Sequence, residues 1–374
     1  MVYLDHSATT AVDPEVMETF IKATENFWGN PSSLHHFGAL AEQVVFKSSR
    51  QILTLLDADD HQVIYTGGAT ESNNLALMGI FGQEFKGHLI TTAIEHPSVY
   101  EVAHELEKKG VKVSYLNVNQ SVQDILKELE NLIQKDTMLV SLMHVNSEMG
   151  LVLPIKEIGE LLCLHPRIKF HVDGVQSVGK LPVSLKAAHI DMLSLSAHKI
   201  HGIKGVGGLV VRRNILLTPE IIGGGQMNGM RSGTVNGPGI ASFAKAMRLI
   251  VSHQKSAYEK ISQLYKETLQ ALNEIPEVTI NQTPWEHSPY IINFVVSGVK
   301  GETMVHALSE HDVYISAKSA CASKTKKASY VMLAIGASEE VATESLRISF
   351  CWQTTADEIQ TFITALKEQI KQLT

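Results

Sequence analysis

IKFHVDGVQSVGKLPVSLKAAHIDMLSLSAHKIHGIKGVGGLVVRR, residues 168–213, decides the fold. An apolar run over 168–172 ends in Asp173, and Gln176 follows three residues later. A second apolar run, DMLSLSA, leads into His198 and Lys199 and then into the glycine-rich GIKGVGG. Short apolar runs bounded by polar residues and glycines predict buried strands. One strand therefore ends in an acid and the next in a lysine.

That pairing suits a pyridine ring held at two ends. An aspartate keeps the ring nitrogen protonated, and a lysine binds the aldehyde, which is the requirement of pyridoxal phosphate. Each residue has a plainer explanation when taken alone. A strand-end aspartate commonly caps a turn, and a lysine after a histidine is commonly solvated. The order strand-Asp-x-x-Gln, strand-Ser-x-His-Lys, glycines is what favours the cofactor.

Working outward, TGGATESNN at 66–74 predicts a strand-to-helix turn. The first amides of a helix lack internal partners, so an anion fits there, with the Ala69 N–H and Thr70 as contacts to phosphate. The competing explanation is a helix capped by Thr70 or Ser72. IEHPSV at 94–99 puts His96 at a strand end, where its ring can stack on a cofactor and move protons near neutral pH. TMLVSLMHVNSEMG at 137–150 predicts a buried strand ending in a polar turn that holds Asn146 and Ser147. A triple glycine opens GGGQMNGMRSGTVN at 223–236, but it lacks the lysine spacing of a nucleotide-binding loop. Cys321 lies in SACAS, a run of small residues followed by Lys324, Lys326 and Lys327. That setting predicts a mobile loop and a thiol biased toward thiolate. Cys163 and Cys351 lie in apolar contexts and are expected to be buried small hydrophobes. Arg347, in SLRISF, lies on a late strand, where it either binds a carboxylate bidentately or pairs with Glu344 or another acid.

Taken together, ATESNN, IEHPSV, HVDGVQSVGK, SLSAHK and RSGTVN resemble the class V aminotransferase family of pyridoxal phosphate enzymes, in that family's order and over essentially the whole chain. Within the family the nearest likeness is to the cysteine desulfurases that supply iron–sulfur clusters and tRNA thiolation. The opening YLDHSATT resembles the family's YLDNAATT, with His6 and Ser7 as departures. Ser147 stands where the family has an asparagine, and Met227-Asn228 interrupt a family glutamate position.

The resemblance implies an α/β fold of the aspartate-aminotransferase type (fold-type I). A large domain over 14–250 carries a mostly parallel seven-stranded sheet. A smaller α/β domain comprises 1–13 and 251–374. It implies that Lys199 carries pyridoxal phosphate, that Asp173 pairs its ring nitrogen, and that Gln176 bonds its phenolic oxygen. His96 stacks, and Ala69, Thr70, Ser196, His198 and Thr234 hold phosphate, with Thr234 reaching the other subunit of a homodimer. Arg347 and Asn146 bind the substrate, and Cys321 is the sulfur-accepting nucleophile. The implied reaction removes sulfur from L-cysteine, giving L-alanine and a persulfide for an acceptor protein, an iron–sulfur scaffold or a tRNA-thiolation enzyme. A selenocysteine lyase, a kynureninase or an aminotransferase is the alternative within the clan, and a non-catalytic partner-binding paralogue is the alternative outside it. Cys321 argues against kynureninase and aminotransferase, and retention of Lys199 with Cys321 argues against the paralogue.

Composition agrees with a globular enzyme: 374 residues, 44% hydrophobic, 19% charged, net charge −7. The acidic balance speaks against nucleic acid as the main partner. No apolar run has transmembrane length, and no secretory signal pattern opens the sequence. The three cysteines show neither metal-site spacing nor a disulfide framework, so a reduced, cytoplasmic protein without a metal centre is expected.

Overall fold

The computed structural model describes residues 1–283, 285–317 and 328–374. The chain divides into two compact units. One comprises Ala11–His144 and Pro154–Ser252; the other comprises Met1–Thr10, Val145–Leu153 and His253–Thr374. The nine residues Val145–Leu153 thus belong to the smaller unit, a change of unit that no Pro/Gly-rich linker marks.

In chain order the first elements are strand β1 (Val2–Tyr3), helices α1 (Pro14–Asn26) and α2 (His36–Leu55), strand β2 (His61–Thr66) and helix α3 (Ala69–Phe81). Then follow β3 (His88–Thr92), α4 (Pro97–Lys108), β4 (Lys112–Leu116), α5 (Val122–Leu132) and β5 (Thr137–Met143). After these come α6 (Ile155–Leu162), β6 (Lys169–Asp173), β7 (Met192–Ser196), β8 (Gly207–Arg212) and the long α7 (Gly237–Asn273). The C-terminal part adds β9 (Val278–Ile280), β10 (Ile291–Val296), α8 (Gly301–Ser309), β11 (Val313–Tyr314), α9 (Tyr330–Ala334), α10 (Glu339–Glu344), β12 (Leu346–Ser349) and α11 (Ala356–Leu373).

The larger unit is built on a seven-stranded sheet of order β2-β8-β7-β6-β5-β3-β4. Strand β8 runs antiparallel to both its neighbours, β2 and β7, and the other four pairings are parallel. Strands β3 and β7 are buried along their whole length, as central strands of a sheet covered on both faces are, although each carries small polar residues or a histidine among its apolar ones. The parallel arrangement brings the carboxyl ends of β2, β3, β5, β6 and β7 to one edge, where ligands bind in open α/β sheets. At that edge β8 begins with Gly207. A Cβ there would lie 2.7 Å from the Gly68 Cα and 2.6 Å from the Leu195 carbonyl oxygen, so only glycine lets the strand pass so close to the β2–α3 turn.

The smaller unit has a three-stranded antiparallel sheet, β12-β10-β9, and a parallel pair, β1-β11. Its core gathers Leu4, Ile261, Phe294, Met304, Ile348, Phe350 and Phe362. The larger unit packs Leu75, Leu77, Leu89, Val99, Leu139 and Leu209 between sheet and helices.

Cys351 is buried as expected, but Cys163 is exposed. On α6 the buried stripe is Ile155, Ile158, Gly159 and Leu162, and the residue after Leu162 turns roughly 100° away from that stripe. An apolar neighbourhood in sequence was therefore a poor guide to which face Cys163 occupies.

Candidate active site

Asp173 ends β6 and is buried. Its Oδ2 accepts from the Asn73 Nδ2 at 2.8 Å, and its Oδ1 accepts from the Val175 N–H at 3.0 Å. The strand register sets it beside Met143 of β5 and Ser194 of β7, so the carboxylate lies between neighbouring strand ends. Ser196 ends β7, and a turn of 3-10 helix over Ala197–Lys199 carries His198 and Lys199. That turn is held by the Ala197 N–H to the Val206 carbonyl at 3.0 Å and by the Gly202 N–H to the Ala197 carbonyl at 2.8 Å.

His96 is the N-cap of α4, with Pro97 at the first helical position. Its Nδ1 accepts the Ser98 N–H at 3.2 Å and lies 2.8 Å from the Ser98 Oγ. Burial lowers its pKa; the Asp173 carboxylate pulls it up and the Lys199 ammonium pushes it down again. The ring therefore sits within the field of both groups. His198 is likewise depressed, to about 4, first by burial and then by Lys199 and Lys204. Glu95, next to His96 in the chain, is pushed up to about 8 by burial, although Thr92 and the Met143 N–H bond it. Burial thus favours its neutral form relative to an exposed glutamate.

The start of α3 has Gly68 as N-cap at φ 154°, and no side chain caps it. The cap by Thr70 or Ser72 weighed in the sequence is absent: the Ser72 Oγ bonds Thr66 and the Gly68 carbonyl instead. The Ser196 Oγ lies 3.7 Å from where a Gly68 Cβ would stand, which puts that hydroxyl beside the uncapped turn. Glu71 ties this turn to the RSGT segment: its Oε2 accepts from the Gly67 N–H at 2.7 Å, and its Oε1 accepts from the Arg231 Nε at 2.8 Å. Thr234, in the same segment, is exposed. Gln176 is buried, and its Oε1 accepts from the Lys180 Nζ at 2.9 Å, which leaves the amide Nε2 as the donating end.

In the smaller unit, Arg347 on β12 is 1% exposed. Its Nη2 donates to the Asp5 Oδ1 at 2.7 Å and its Nη1 to the Ser147 carbonyl at 2.9 Å. The paired acid is Asp5 rather than Glu344, and the Arg347 Nε has no hydrogen-bond partner among the described residues. The Asn146 Oδ1 accepts from the Glu148 and Met149 N–H groups at 2.9 and 2.8 Å, so this side chain shapes the turn through its oxygen. Cys321, with Lys324, Lys326 and Lys327, lies outside the described residues.

The larger unit thus collects Ala69, Thr70, His96, Asp173, Gln176, Ser196, His198 and Lys199 near one sheet edge. Asn73, Ser98, Lys180 and Glu71 hold them and were not singled out in the sequence. Asn73 and Ser98 stood inside quoted strings, but nothing in their spacing separates a buried amide from an exposed one. The donors fit pyridoxal phosphate: an uncapped helix start beside a serine hydroxyl for the phosphate, a buried carboxylate for the ring nitrogen, and a lysine for the aldehyde.

Comparison with known proteins agrees with that fit. The family model described as aminotransferase class-V matches residues 2–362. A cysteine desulfurase of Trichormus azollae is 39% identical over 375 residues, covering 100% of this chain and 94% of that protein. A cysteine desulfurase of Homo sapiens is 39% identical over 378 residues, covering 100% of this chain and 82% of that one. Among solved structures, a NifS-like protein matches at 33% identity with a TM-score of 0.90 over 100% of both chains. One described as SspA in complex with cysteine matches at 33% identity and a TM-score of 0.80, covering 94% of this chain and 99% of that one. This chain belongs to the class V aminotransferase family, and it shares that family's dependence on pyridoxal phosphate. Its full-length relatives within the family include the cysteine desulfurases.

Proposed function

We propose that this protein is a pyridoxal-phosphate-dependent cysteine desulfurase, which takes sulfur from L-cysteine and leaves L-alanine and a persulfide on Cys321. The observation that carries the reading is the buried Asp173 at the end of β6, with Lys199 on the turn after β7, inside a chain that matches cysteine desulfurases from end to end. When bound, pyridoxal phosphate supplies an electrophilic aldehyde and a cationic ring that draws electrons from the Cα of the amino acid.

The residues do the rest. Lys199 would hold the cofactor by its aldehyde, and its Nζ would be the group placed to take the Cα proton of cysteine. Asp173 keeps the ring nitrogen protonated. Gln176, its oxygen occupied by Lys180, donates through Nε2 to the phenolic oxygen. His96 covers the ring, and the Ala69 N–H, Thr70, Ser196 and His198 bind the phosphate. Arg347, with its Nε unengaged among the described residues, pairs with the α-carboxylate, and Asn146 supports the turn beside it. The Cys321 thiolate attacks the substrate sulfur, the carbon–sulfur bond breaks, and a proton completes the methyl group of alanine. The sulfur then passes from Cys321 to an acceptor protein, an iron–sulfur scaffold or a tRNA-thiolation enzyme, in the cytoplasm. The enzyme acts as a homodimer in which Thr234 reaches the partner's phosphate; a protein that stays monomeric at assay concentration by light scattering ends that reading.

Incubating the yellow protein with cysteine yields alanine, with one sulfur added per Cys321 before any reductant is supplied. Absence of alanine would falsify the function. In the same assay Asp173→Asn lowers kcat by roughly 10²–10³-fold with little change in KM, since a neutral partner no longer keeps the ring nitrogen protonated. Arg347→Lys instead raises KM, because a lysine offers no bidentate fork to the carboxylate.

A further inference from the structure

We infer that Asn73 and Ser98 are positioning residues of this site, forming a one-way chain of hydrogen-bond donors from the Asp173 carboxylate to the His96 ring and fixing His96 as its Nε2–H tautomer. The inference rests on reading Asp173 and His96 as cofactor groups. The direction of the chain follows from the atoms alone. A carboxylate can only accept, so Asn73 must present its Nδ2 to the Asp173 Oδ2, at 2.8 Å. The other Nδ2 hydrogen goes to the Ser98 Oγ, also at 2.8 Å. With its oxygen accepting from Asn73, the Ser98 hydroxyl has its own hydrogen to donate, and the His96 Nδ1 stands 2.8 Å away. The Ser98 backbone N–H points at the same Nδ1 from 3.2 Å. A nitrogen that faces two donors carries no proton, so the ring's proton is on Nε2.

Turning the Asn73 amide over would set two acceptors 2.8 Å apart at Asp173. Its Oδ1 is buried without a hydrogen-bond partner among the described residues, an uncommon cost that an apolar side chain of similar size would avoid. Asn73 is 0% exposed and Ser98 7%, so water does not substitute for either. The charged groups acting on the His96 ring are Asp173 from β6 and Lys199 from the turn after β7. Protonating Nδ1 would require the Ser98 hydroxyl to turn away and would leave the Ser98 N–H facing another donor. The chain therefore opposes imidazolium and keeps His96 a neutral donor at Nε2, while the same amide holds the Asp173 carboxylate in place.

The test is nitrogen NMR of histidine-labelled protein as purified, with His96→Gln used to assign the His96 signals. Wild-type protein is expected to show Nδ1 unprotonated and Nε2 protonated at neutral pH. Ser98→Ala should mix the tautomers and raise the pH at which the ring gains its second proton by about one unit, the effect of roughly one hydrogen bond. The acid limb of kcat/KM should move up by the same amount, and Ser98→Thr, which keeps the hydroxyl, should restore both. An Nδ1–H tautomer in the wild type, or an unmoved tautomer and acid limb in Ser98→Ala, overturns the proposal. Because the NMR readout needs no turnover, a wrong tautomer in a protein that makes alanine from cysteine removes the donor chain alone. The expected tautomer in a protein that makes none removes the desulfurase reading alone.

Discussion

Lys199→Ala is expected to give a folded, colourless protein that forms no alanine from cysteine. The side chain is only half-buried, on a turn whose backbone bonds, the Ala197 N–H to Val206 and the Gly202 N–H to Ala197, do not involve it. Trimming it therefore leaves β7 and β8 intact, and circular dichroism should match the wild type. On the proposed reading the loss is chemical: the variant has no lysine to hold the cofactor and no amine to take the Cα proton. Turnover should fall by at least ~10³-fold, near the upper range for removing a positioned proton-transfer group. Borohydride reduction of the wild type followed by peptide mapping should place the cofactor on the peptide with Lys199. Capture of cofactor on a different lysine in the Lys199→Ala protein counts against the assignment.

Cys321→Ser should separate binding from sulfur transfer. This variant stays yellow and takes up cysteine, yet its sulfur release falls by roughly 10³-fold or more, because a serine hydroxyl stays protonated at neutral pH and is a poor nucleophile toward sulfur. The two other cysteines serve as controls of opposite kinds. Cys351 is buried, with its thiol pushed up chiefly by burial, and Cys163 is exposed. Neither Cys163→Ser nor Cys351→Ser should change sulfur release. Mass spectrometry after a cysteine pulse should find the added sulfur on the Cys321 peptide. Full release by Cys321→Ser, or sulfur carried mainly by Cys163, would sink the persulfide assignment and favour the aminotransferase alternative.

Much of this is legible in the sequence. The runs ending in Asp173 and Lys199 are β6 and the turn after β7, short segments marked off by the glycines and polar residues that follow them. Less legible were the groups that hold others. Asn73 reads like any polar helix residue, and only the packing of α3 and α4 brings it to Asp173 and Ser98. Arg347 was recognisable as a carboxylate binder, but its actual partner, Asp5, lies at the far end of the sequence, where no local pattern links the two. Cys163 shows the converse error, in which neighbours in sequence suggested burial and helical phase decided otherwise.

The smaller unit is stitched from segments at opposite ends of the sequence. Val2 and Tyr3 pair with Val313 and Tyr314, and the Ser7 N–H bonds the Ser349 hydroxyl. On a ribosome, these opening residues emerge long before their partners exist. At roughly 5–20 residues per second, the ~300 intervening residues take about 15–60 s to make. The larger unit, whose strands all lie before residue 213, can assemble during that interval. The first strand meanwhile lacks its partner strand, and Arg347 gains its aspartate only after every strand of the larger unit has been made. On the proposed reading of Arg347, the carboxylate-binding end of the site is accordingly completed after the sheet that carries the cofactor end.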